Sequence, residues 1–164
     1  MTSWIEIGIL IFILILIVIS LLLYFIALTN LGKSRAGLID DENTDAAYSW
    51  GSWATLAIII SGALVITNIV LYYYLNIPNT LLKVLLFTSF ILLMISGVFG
   101  INSYNSMFNI INEDPDDDIT TARSNIRTAY IISFIASIFI IIVFIMALFF
   151  TNDTDSTQNN KIYL

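Results

Sequence analysis

"WIEIGILIFILILIVISLLLYFIALT", residues 4–29, holds one acidic side chain near its start and no other charge. As a helix it is ~39 Å long, enough to cross a hydrocarbon core of about 30 Å with some tilt. A cleavable signal has a basic start, an apolar core of about 7–15 residues and a small-residue cleavage site. Here the core is longer, no base precedes it, and no clean cleavage pattern follows. The segment is expected to stay as a membrane helix.

Three more stretches repeat this pattern, at about 50–75, 80–102 and 127–150. The turn "NIPNT" separates the second from the third, and Pro78 cannot continue a helix. A connection that short makes its two helices antiparallel neighbours. The expected fold is all-α: a single polytopic domain over residues 1–164, with four transmembrane helices as two hairpins in one bundle. Residues 30–49 and 103–126 are expected as acidic loops on one membrane face. The N-terminus, the turn and the polar tail 151–164 are expected on the other.

Composition agrees with a membrane home. Hydrophobic residues make up 59% of the 164 and charged ones only 11%, against about 25% charged in soluble domains. Cysteine and histidine are both absent, which excludes disulfides, thiolate nucleophiles, the usual zinc sites and His-ligated haem. Twelve acids oppose six bases, a net charge of −6. Nucleic acid repels such a chain, and an anionic lipid surface gains little from it. Isoleucine supplies roughly a fifth of the residues. That bias is typical of AT-rich coding genomes, as in some large DNA viruses, some protists and many organelles.

Orientation rests on few bases. Lys33, Arg35, Arg123 and Arg127 flank the two longer connections, against Lys83 and Lys161 opposite. The positive-inside rule puts the acidic connections on the cytosolic side or its equivalent. Asn152, Asp153 and Thr154 form a glycosylation sequon on the far side, too near the membrane to persuade. A weak repeat appears at an offset of 75 residues, pairing Asn30 with Asn105, Asp41 with Asp116, Ala47 with Ala122, Ser49 with Ser124 and Ala54 with Ala129. Convergent composition accounts for it about as well as duplication. A duplication would be parallel, unlike the inverted repeats of many transporters.

The acids fall in two runs: Asp40, Asp41, Glu42 and Asp45, then Glu113, Asp114, Asp116, Asp117 and Asp118. Alternate aspartates from Asp114 suggest a calcium loop, which needs glycine at its sixth position and glutamate at its twelfth. Those places hold Ile119 and Asn125, so no metal is assigned. Acids ahead of helices two and four suit the positive end of the helix dipole, and Asp118 or Thr120 is placed to cap. Both helices are expected to begin in water as short stems. The two runs together also suit docking of a basic protein partner.

Within the spans, small residues mark close helix approach: Ala57 and Ser61, Ser96, Gly97 and Gly100, and Ala129, Ser133 and Ser137. Packing within the chain is favoured over homo-oligomerisation. Helix one is Ile and Leu nearly all round, and is expected to face mostly lipid or another large apolar partner. Asn68, beside Thr67, is the deepest strongly polar side chain and is expected to bond across to a neighbouring helix. Trp4, Trp50, Trp53 and Tyr72–Tyr74 suit the membrane interfaces.

No charged residue falls at mid-span, where an ion or proton pathway usually needs one. Without histidine the usual serine triad cannot form, and no glycine-rich phosphate loop or cofactor motif appears. The expectation is a non-catalytic structural or assembly protein. It would organise a bilayer and tether it to membrane, capsid or other complex proteins through its acids. A virion membrane comes first and an organellar complex second, with a small channel or transporter as the rival class.

Overall fold

A computed structural model describes residues 4–37, 42–74, 79–113 and 117–150. They form four α-helices: α1 (Trp4–Gly37), α2 (Glu42–Tyr74), α3 (Asn79–Glu113) and α4 (Asp117–Phe150). Each runs 33 to 35 residues, or ~50 Å. All four contain a stretch long and apolar enough to cross a membrane. In hydrocarbon every backbone N–H and C=O must find a partner inside the protein, and a helix supplies that partner within its own segment. The chain is a multi-pass integral membrane protein.

The helices form a ring in chain order, with α4 returning to pack on α1. Contacts at different heights show neighbours running antiparallel. Phe12 meets Phe139 while Ser20 meets Ala129. Asn68 meets Leu82 while Ser103 meets Ala47. Phe87 meets Phe144 while Tyr104 meets Tyr130. The hairpin architecture read from the sequence is the one observed.

One stripe of each helix is sealed from the surface, and it alternates steps of three and four residues. In α1 it is Leu10, Ile13, Ile17, Ser20, Tyr24, Ala27 and Leu31. In α2 it is Thr44, Ala47, Gly51, Ala54, Ile58, Ser61, Val65 and Asn68. The mean step of 3.5 is the spacing of left-handed coiled coils and of most four-helix bundles. The stripe of α4 is that of α2 moved by 75 residues at every place, from Ile119 to Val143. In α3, Leu86, Ser89, Leu93, Ser96, Gly100, Ser103 and Met107 repeat the α1 stripe moved by 76. The bundle thus has an approximate two-fold axis along its length, relating the hairpin α1–α2 to the hairpin α3–α4.

The expected loops need correction. Residues 30–37 and 103–113, which the sequence places in loops, are helical, whereas the stems expected at the starts of α2 and α4 are present over 42–49 and 117–126. The 3–4 stripe explains this, because Leu31, Thr44, Ala47, Met107, Ile119 and Ala122 remain buried beyond the most apolar stretch. Helix α1 turns most of its surface outward, as expected, but it also puts seven stripe residues into the core and closes the ring against α4.

Contacts between helices also show which residues share a level along the bundle. The Arg123 guanidinium lies over the Tyr104 ring, and the neighbouring Ser103 bonds Ala47. Arg123 and Ala47 therefore share a level, and Trp50 and Arg127 sit about one turn deeper. At the far end the Phe87–Phe144 contact puts Lys83 level with about residue 148 of α4. From Arg127 to that level is ~31 Å of helix, matching a hydrocarbon core of about 30 Å. With one edge of the hydrocarbon taken at Arg127, the ten residues of α4 before it would extend ~15 Å past that edge.

Candidate functional site

Two regions can carry function: the polar seams between helices and the acid-tipped stem. In the seams, serines replace the larger apolar residues that a soluble core uses. Ser20 Oγ donates to the Ala129 carbonyl at 2.8 Å and lies 3.0 Å from Ser133 Oγ, tying α1 to α4. Across α2 and α3, Ser61 and Ser89 each donate to the other's carbonyl, at 3.2 and 3.4 Å. On the same interface Ser103 donates to the Ala47 carbonyl at 2.6 Å and Asn68 Nδ2 to the Leu82 carbonyl at 2.8 Å. Apart from the Ser20–Ser133 hydroxyl pair, each bond joins a hydroxyl or amide to a backbone carbonyl, and none takes a backbone N–H out of the helix ladder.

The small residues read from the sequence all lie in buried positions: Ala57, Ser61, Ser96, Gly97, Gly100, Ala129, Ser133 and Ser137. Gly97 and Gly100 have a specific steric reason. A Cβ on Gly97 would stand 2.6 Å from the Phe134 ring. One on Gly100 would stand 2.7 Å from the Tyr130 Cβ and overlap the Tyr24 hydroxyl. Tyr24 is fully buried and crosses the centre of the bundle to donate to the Ser96 carbonyl at 3.2 Å. Tyr24 and Ser20 were missed because α1 was judged by its apolar bulk. A tyrosine mid-span, four residues after a lone serine and three before an alanine, is the available cue.

Exposed hydroxyls behave differently. Thr67 is exposed and donates to the Ala63 carbonyl of its own helix at 2.8 Å. Thr29, Thr88 and Thr128 bond back in the same way, to Phe25, Val84 and Ser124. Such back-bonding hides a hydroxyl from hydrocarbon at little cost. Asn68 and Thr67, adjacent in sequence, therefore face opposite surroundings and do not line one path.

The stem gathers the acids at one end of the bundle. Glu42 and Asp45 lie exposed in the first turn of α2, and Asp117 lies exposed in the first turn of α4. Asp118 beside it is half-buried. Thr120 Oγ1 donates to the Asp117 carbonyl at 3.0 Å. Asp40, Asp41, Asp114 and Asp116 lie outside the described residues, and Glu113 closes α3. Among the described residues no three acids come close enough to share a metal ion. What the stem offers is negative charge at one end of the bundle, on a packed helical support whose core continues to its tip. No protein-family model matches the chain, and no curated protein or solved structure is detectably similar to it.

Proposed function

We propose that the chain is a non-catalytic structural protein of a membrane, which holds a bilayer to acid-seeking protein partners through its stem. The observation that carries this is the continuity of the core. The buried 3–4 stripe runs through the bilayer and on beneath Glu42, Asp45, Asp117 and Asp118 without a break. A rigid support lowers the entropy a partner loses on binding, compared with a flexible acidic loop. Composition favours a virion or virus-induced membrane as its home, with an organellar complex second.

Crosslinking in native membranes tests the proposal. Changing Glu42, Asp45, Asp116, Asp117 and Asp118 to their amides is expected to abolish most crosslinks to partners while leaving membrane insertion intact. Unchanged crosslinking would leave the acids only a helix-capping role. The rival channel reading predicts ion flux from the pure protein in liposomes. The structural role predicts none, with or without Asn68.

A further inference from the structure

We propose that Arg123 and Arg127 form a binding site for the phosphate of an anionic phospholipid, at the α3–α4 seam. The Arg123 guanidinium carbon lies 4.2 Å from the Tyr104 ring centre and 5.0 Å from that of Phe108, both on α3. A cation stacked on aromatic faces keeps its planar fork in one orientation, which suits bidentate recognition of phosphate. Arg123 is half-buried, and its Nε is buried with no hydrogen-bond partner. Arg127 follows one turn deeper and is exposed. Two positive groups thus sit one turn apart on the same face of α4, at the edge of the hydrocarbon.

With the edge of the hydrocarbon taken at Arg127, lipid phosphates lie at this level, and a second feature supports it. Phe108 is 52% exposed although it sits on the stem side of Tyr104, a place for a large ring in the headgroup layer rather than in water. Deeper along the seam, Tyr104 packs edge-on to Tyr130 at 6.0 Å, and Tyr130 to Phe134 at 6.4 Å. A phospholipid seated here has its phosphate at the two arginines and its chains beside an aromatic column. The acids of the chain act mainly on the shallower arginine. Asp118 is five residues from Arg123, ~7.5 Å along the helix and about one screening length at physiological salt, whereas Arg127 is nine residues from it, ~13.5 Å and beyond that length.

The test uses the full chain reconstituted in phosphatidylcholine with a minor fraction of phosphatidylglycerol, then extracted in mild detergent. Native mass spectrometry reads the lipid retained. Wild-type protein is expected to retain phosphatidylglycerol over phosphatidylcholine. Arg123→Gln with Arg127→Gln is expected to weaken retention roughly tenfold, the loss of one charge-assisted hydrogen bond or more. Arg127→Gln alone, at an exposed position, gives part of that loss and stays informative if Arg123→Gln fails to fold. Arg123→Lys keeps the charge but loses the stacked fork, and gives an intermediate value. Equal retention by wild-type and Arg127→Gln protein overturns the proposal. So does displacement of the lipid by inorganic phosphate, which would mark a general anion site.

Discussion

Tyr24 of α1 and Gly100 of α3 hold matching places in the two hairpins and meet at the centre of the bundle. Elsewhere too the halves pair a large residue with a small one, with the bulk on one hairpin or the other. Gly51 corresponds to Ile126, Ser133 to Ile58, and Ser89 to Ile13. One hairpin supplies bulk where the other supplies space, while the buried register is shared. Two hairpins with identical side chains would collide at some levels and leave holes at others, whereas alternating large and small lets the layers interdigitate. The polar groups follow the same asymmetry. Ser20 bonds both Ala129 and Ser133, whereas its counterpart Ser96 has a buried hydroxyl with no partner. At the place in α2 that matches Ser133 stands Ile58.

The largest effect is expected where this asymmetry is sterically absolute. Gly100→Leu forces a side chain into Tyr24 and the Tyr130 Cβ, which no rotamer change relieves. Overpacking costs typically 1–3 kcal/mol, and here about 3 kcal/mol or more is expected from denaturant unfolding in micelles. Adding Tyr24→Ala to that variant should restore part of the loss, and no restoration would mean the two residues are not complementary. Ser20→Ala comes next, with an expected loss of about 1 kcal/mol, within the range for hydrogen bonds between membrane helices. Asn68→Val makes α2 match Val143 of α4 and is expected to cost about 0.6–1.5 kcal/mol on the same scale. The smallest effect is expected for Ser96→Ala. Removing a buried hydroxyl that has no partner should be neutral or stabilising, within about 0.5 kcal/mol. If Ser20→Ala and Ser96→Ala proved equal, the polar difference between the hairpins would carry no energy.

Helix number, antiparallel order and the small residues were legible in the sequence. Runs of apolar residues have one stable form in hydrocarbon, and small side chains are where such helices approach. Asn68 was legible for the same reason, as an amide at that depth needs a partner. The stem was only half legible. The starts of helices two and four were expected as stems, but α3 was expected to end with its apolar run. Met107 nevertheless stays in the core among polar neighbours such as Asn105 and Ser106. In water as in lipid, a helix continues as long as one face is covered. The offset of 75, ambiguous as a pattern of identities, recurs in the geometry as a shared register of burial.

The sequence by itself determined that this chain lies in a membrane and crosses it four times, because transfer of apolar surface from water depends on composition and hardly on arrangement. Which face of each helix turns inward was decided only by the tertiary structure. Helices that are apolar all round show no contrast between core and lipid sides, so the usual hydrophobic periodicity vanishes. Between such helices the choice falls to volume fit and to hydrogen bonds across the seams. Tyr24 over Gly100 and Ser20 against Ala129 express that choice, and the side chains that make it lie 76 and 109 residues apart in the chain.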